Sequence, residues 1–107
     1  MERGEVWQVD FGIAAKVRPA LLLTSEPADE ELDLFTVLLH TTSVRGNQWE
    51  LAISKSFLKA GAFHLQQIQS ISGAKLMRCL GRLSDAEMRL VDEALRNRLH
   101  LSSSFPK

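Results

Sequence analysis

Three groups of polar side chains interrupt otherwise apolar stretches of this 107-residue chain, and their types are those that handle phosphate and protons. The first is Arg18, which stands between Val17 and Pro19 at the head of the apolar run Ala20 to Leu23. Proline biases its predecessor toward extended backbone, so Arg18 is expected where a strand buried on both faces begins, with its guanidinium facing outward. A cation fixed on a rigid strand can grip two phosphate oxygens through its planar fork of donors. Taken alone, the plainer reading is an ion pair with a carboxylate, because most arginines are solvated or paired. The second group, His40-Thr41-Thr42-Ser43, closes the apolar run Leu34 to Leu39. Side chains at the end of a buried strand are open to chemistry, although hydroxyls there also cap turns. The third is His64 with Gln66, Gln67 and Gln69 on one stretch, where the face of His64, Gln66 and Ile68 is too polar for a core and suggests a wet groove.

The elements that must hold these groups are mostly strands. Glu5 to Phe11 alternates, with Trp7, Val9 and Phe11 on one face and Val6, Gln8 and Asp10 on the other, the period of a half-buried strand. Gly12 to Lys16 then forms a short connection into the Val17 to Thr24 strand, and the two are expected to pair as an antiparallel hairpin. Ser25 to Asp33 is a solvated loop or a single turn, Leu34 to Leu39 a third strand, and Val44 to Gln48, with Arg45, an exposed loop. Trp49 to Ile53 alternates as a fourth strand, Ser54 to Gly61 makes a turn or short helical excursion, and Ala62 to Ile71 is a fifth strand. Ser72 to Lys75 turns the chain into a last strand, Leu76 to Leu83.

Ser84 with Glu87 three residues later is a capping box, and Met88, Val91, Leu95 and Leu99, widened by Leu90 and Ala94, predict an amphipathic helix ending near His100. The tail from Ser102 to Lys107 is expected to be loose. The pattern predicts one domain over residues 1–107, mainly β with α: a small barrel with a C-terminal helix docked on it.

Thirteen basic and thirteen acidic residues cancel, so net charge does not announce a polyanion binder. Five of the acids crowd the stretch from Glu26 to Asp33, which contains no base. The remainder therefore carries thirteen basic against eight acidic residues, and any anion site should lie away from that loop. The single cysteine, Cys79, rules out an internal disulfide, fits a reducing compartment, and reads as a small core residue. With no leader-like start and no apolar run long enough to span a bilayer, the expected location is the cytosol.

Arg3-Gly4-Glu5-Val6-Trp7, Val17-Arg18-Pro19, Thr42-Ser43, Gln67-Ile68 and Leu80-Gly81-Arg82-Leu83-Ser84, in this order and over almost the whole chain, resemble the MazF/PemK (Kid) family of toxins from toxin-antitoxin pairs. The resemblance implies an SH3-like barrel (CcdB/PemK-like) with a C-terminal helix, a homodimer, and a metal-independent endoribonuclease that cuts single-stranded RNA at short sequences. It implies no cofactor, and an antitoxin whose flexible tail occupies the RNA groove. Arg18, Thr42 and Ser43 carry over as catalytic residues. The longer Gly-rich connection before Arg-Pro is absent, and some members place an arginine and an aspartate where this chain has His64-Leu65-Gln66-Gln67. Gln69 stands where the family has an arginine.

Cleavage without metal most simply uses the 2′-hydroxyl as in-line nucleophile. It needs a cation for the developing charge, a donor for the phosphate, and a proton carrier. Arg18 suits the first role and Thr42 with Ser43 the second. His64, and after it His40, suits the third, since imidazole titrates near neutral pH, though a lone histidine on a strand is more often structural. Gln66, Gln67 and Gln69, with His40 and Arg45, are candidates for contacts with splayed RNA, although a polar sheet edge or dimer contact would also explain the glutamines. Two other classes stay open: a binding toxin resembling CcdB, which poisons DNA gyrase, and a silent barrel that binds RNA or a peptide.

Overall fold

A computed structural model describes residues 1–12 and 16–101. Most of the expected Gly12 to Lys16 connection and all of the expected loose tail from Ser102 lie outside them. Six strands and one long helix follow in order: β1 (Glu5–Asp10), β2 (Val17–Leu22), β3 (Leu34–Thr41), β4 (Glu50–Leu51), β5 (Ala62–Ser72), β6 (Leu76–Arg82) and α1 (Asp85–Leu99), with a 3-10 turn at Gly73–Lys75. The strands pair antiparallel in the spatial order β4-β5-β3-β2-β1-β6. The expected strand from Trp49 to Ile53 shrinks to Glu50 and Leu51.

β4 and β6 are free edges, so hydrogen bonds do not close the sheet. Side chains bring the barrel-like shape together instead. Phe57, in the excursion after β4, lies so close to Gly81 of β6 that a Cβ there would come within 2.4 Å of its ring. Lys55 of the same excursion donates to Glu87 at 2.9 Å, tying it to the first turn of α1.

Both faces of the central strands are buried, which is why β2 and β3 read as continuous apolar runs. Val6, Leu21, Leu38, Phe63 and Leu65 join Met88 and Val91 of α1 in one cluster. Val9, Ala20, Leu22, Phe35, Val37 and Leu39 form the other, on the opposite face. Trp7 and Phe11 pack with Val9 there, as the alternation predicts. The expectation of a half-buried β1 is corrected at Val6, which the helix layer covers completely.

The capping box of α1 is present: Ser84 Oγ accepts from the Glu87 N–H at 3.1 Å, and Glu87 accepts from the Ser84 N–H at 2.8 Å. Of the predicted stripe, Met88 and Val91 are buried and Ala94 and Leu95 rest against the core, whereas Leu90 and Leu99 are 54% and 51% exposed. The stripe is narrower than expected because the helix meets the sheet mainly through β5. Cys79 is a second correction. It is exposed on the edge strand β6, between exposed Arg78 and half-buried Leu80, with Sγ 3.5 Å from the Gly81 carbonyl, and is no core residue. Among the described residues, no helix is long and apolar enough to cross a membrane.

Candidate functional site

β2 and β3 pair with Ala20 opposite Leu39 and Leu21 opposite Leu38. Continued two residues outward, that register sets Arg18 beside Thr41, so the head of β2 and the polar end of β3 share one end of the sheet. The acidic 25–33 loop joins the other ends of the same two strands. Sequence charge alone predicts that separation, and the topology delivers it.

The β3–β5 ladder is interrupted at this polar end. Leu38 faces Ile68 and His40 faces Phe63, so two steps along β3 match five along β5. The three extra residues of β5 form a bulge opposite the site. Two adjacent residues, Gln66 and Gln67, are therefore both exposed, and Gln69 follows them, while His64 is only 8% exposed and Ile68 packs against the main core. The expected wet face of His64, Gln66 and Ile68 is thus replaced by one made of the three glutamines. The Gln66 N–H donates to Nδ1 of His64 at 3.1 Å. That bond engages the Nδ1 lone pair, which places the ring proton of a neutral His64 on Nε2.

Three linked depressions of 350, 340 and 380 Å³ run across this end. The first is lined by Arg18, His40, Thr42, Gln8, Lys59 and Arg78 among others. Arg18 also borders the second, which holds Ser43, Thr41, Gln67 and Gln69. Ser43, Thr41 and Gln67 continue into the third, with Arg45, Asn47, His64 and Gln66. All nine candidate residues read from the sequence therefore line one groove. Arg18, Arg45, Lys59 and Arg78 bring four cations to it, and no aspartate or glutamate is among the described residues lining it. A larger concavity of 710 Å³ lies over the acidic loop, but Glu26, Glu30 and Glu31 line it, so its charge repels an anion.

His40 is 3% exposed and meets Phe63 edge-on, ring centroids 5.0 Å apart. Burial lowers its pKa from the ordinary histidine value of 6.5, because the charged form loses hydration. The imidazole is therefore neutral at pH 7 and able to accept a proton. Glu50, which borders the groove without lining it, accepts backbone N–H bonds from Arg45 at 2.7 Å, Gly46 at 2.6 Å and Asn47 at 3.1 Å. These bonds, Arg45's foremost, hold its carboxyl below the usual carboxylate range.

Sequence reading missed Gln8 and Lys59 as lining residues and Glu50 as the support of a loop. Of the two arginines of β6, Arg78 and Arg82, the structure brings the first to the groove. Gln8 is flanked by Pro19 in β2 and Arg78 in β6, which carries Arg78 to the groove. Arg82 lies instead near Glu2, its Nη2 4.0 Å from the carboxylate. Among the described residues, no group of three or more His, Cys, Asp or Glu is placed to hold a metal ion.

Comparison with known proteins agrees with this architecture. A family model described as PemK-like, MazF-like toxin of type II toxin-antitoxin system matches residues 2–99. The chain is 33% identical over 96 residues to the probable endoribonuclease MazF5 of Mycobacterium tuberculosis, covering 87% of each chain. It is 32% identical over 117 residues to endoribonuclease MazF9 of the same organism, covering 96% of this chain and 99% of that one. A solved endoribonuclease in complex with its cognate antitoxin from a mycobacterial species superposes with a TM-score of 0.80 at 23% identity, covering 97% of this chain and 99% of that one. With its fold, its near-full-length match and its cationic groove at the Arg-Pro strand, the chain belongs to the PemK-like, MazF-like toxins of type II toxin-antitoxin systems.

Proposed function

We propose that this chain is an endoribonuclease toxin that cuts single-stranded RNA in the groove running from Arg18 to His64. One observation carries the reading: a chain of zero net charge gathers four cations and no carboxylate, among described residues, along the groove that holds every candidate polar group. A polyanion threaded there meets charge stabilisation and hydrogen-bond donors together. Membership of a family with endoribonuclease relatives supports the same reading.

In this mechanism Arg18 stabilises charge building on the phosphoryl oxygens, and Thr42 and Ser43 hold the scissile phosphate. The 2′-oxygen bonds to phosphorus while the bond to the 5′-oxygen breaks, giving a 2′,3′-cyclic phosphate and a 5′-hydroxyl. His40 shares its depression with Arg18 and Thr42 and is neutral, so it takes the 2′-hydroxyl proton, while solvent water in the open groove gives a proton to the departing 5′-oxygen. His64 is assigned a donor role further along the groove, with Arg45, Gln66, Gln67 and Gln69 offered to bases. Purified protein is expected to cleave a labelled RNA in EDTA and leave cyclic-phosphate ends. Cleavage that needs added magnesium would overturn this mechanism.

Two copies joined as a homodimer would lengthen the groove enough for several nucleotides, and a flexible acidic antitoxin segment would inhibit by lying along the same cations. Complexes with a cognate antitoxin are seen for related folds. Inhibition by such a peptide should be relieved by more RNA and weakened by salt. Inhibition that excess RNA cannot relieve, or sedimentation showing only a 12.0 kDa species at working concentration, would contradict the corresponding part.

A further inference from the structure

Resting on the ribonuclease reading, we propose that Glu50 is a positioning residue that shapes the 44–48 loop into a specificity-determining arm, presenting Arg45 and Asn47 to a nucleobase beside the scissile phosphate. The loop is exposed from Thr42 to Gln48 and has little core of its own to define it. What defines it is the Glu50 carboxylate, which gathers the successive N–H groups of Arg45, Gly46 and Asn47. Gly46, at φ +84°, supplies the left-handed backbone that lets the chain wrap one carboxylate.

Both ends of the loop are also tied. The Ser43 N–H bonds Thr41 Oγ1 at 3.0 Å, and the Trp49 N–H bonds Asn47 Oδ1 at 2.8 Å. The second bond occupies the acceptor end of the Asn47 amide and leaves its NH2 end as the part that can donate to a ligand. Glu50 is itself fixed, opposite His64 in the β4–β5 ladder, and next to Trp49, whose ring lies 4.9 Å from the Arg98 guanidinium of α1. The arm is thereby braced against the helix.

Arg45 and Asn47 border the third depression, with His64, Gln66 and Gln67, whereas Arg18 and Thr42 stand together in the first. A loosened arm should therefore change which RNA is held more than how fast a held phosphate reacts.

The test compares wild type, Glu50→Gln, Glu50→Ala and Asn47→Ala on single-stranded RNAs randomised around a cut site. Both kcat and KM are measured on a well-cut and a poorly cut sequence, and amide hydrogen exchange is read alongside. In both Glu50 variants the amides of residues 45–47 should exchange faster while core amides stay protected. KM on the well-cut RNA should rise about tenfold, the scale of one charged hydrogen bond lost, with kcat near wild type and flattened site preference. Asn47→Ala should flatten the preference while the Arg45 and Gly46 amides stay protected. If Glu50→Ala does not fold, Glu50→Gln and Asn47→Ala still decide. Wild-type preference and KM in Glu50→Gln, or a fall in kcat alone, would overturn the arm. Wild-type protein that cuts nothing in the pool would instead overturn the ribonuclease reading, and the arm with it.

Discussion

Arg18→Ala is expected to lower the single-turnover rate of RNA cleavage by ~10² to 10³, the usual cost of removing one well-placed donor to transition-state charge. Arg18 borders both the depression that holds His40 and Thr42 and the one that holds Ser43, so a phosphate reaching either meets it. Its backbone is fixed by pairing with Val9, and β2 continues directly into the buried Ala20, Leu21 and Leu22. The side chain is exposed and belongs to neither core cluster. The variant should therefore keep its circular dichroism spectrum and most of its thermal stability while losing activity. Lysine should restore only part of the rate, because a point charge cannot reproduce two parallel bonds to phosphate oxygens. A wild-type rate in a folded Arg18→Ala protein would make the residue purely structural.

The second large effect is expected at His40. A base acts when unprotonated, and this imidazole titrates below its usual value because burial opposes its charge. The cleavage rate should therefore hold steady from neutral pH down past 6.5, the ordinary histidine value, and fall only once the pH drops below the depressed pKa. His40→Gln should cost ~10² to 10⁴, the range typical of general acid–base catalysis, and should remove the acid limb of the profile. Stability carries the same sign: the neutral buried ring favours the fold above the unfolded pKa, and this contribution is lost as pH falls. Glutamine in place of His64 should leave the acid limb in place, since the Nδ1 of His64 is already an acceptor for Gln66. An acid limb that survives in His40→Gln and vanishes in the His64 variant would reverse the assignment.

Strand locations, the helix and its capping box could be read from the chain because local periodicity and the Ser84–Glu87 spacing act within a few residues. The Arg18 position followed from the proline after it, and Thr42-Ser43 from the end of an apolar run. Four features needed the tertiary structure. The β5 bulge breaks the alternation that sequence reading extends through Gln66 and Gln67, because a register change is a property of a strand pair and not of one strand. Arg78 reaches the groove only through the pairing of the last strand with the first, across most of the chain. Cys79 looked internal between Met77 and Leu80, but on an edge strand only Leu80 turns to the core, while Met77 and Cys79 stay in solvent. Glu50 read as one polar step of an alternating strand, and nothing local announces three loop amides converging on it.

The acidic loop and the cationic groove cap opposite ends of the β2–β3 pair, about 20 Å apart at the ordinary rise per strand residue. A molecule with no net charge thus carries opposite local charge at the two ends of these strands. In the field of a polyanion such a body feels little net pull at long range but a definite torque, which turns the groove forward and the 25–33 loop away. Collisions that begin in the wrong orientation are corrected before contact, at distances within the Debye length. Neutrality in the composition therefore coexists with a strong orientational bias, and zero net charge is no guide to how this protein meets a nucleic acid.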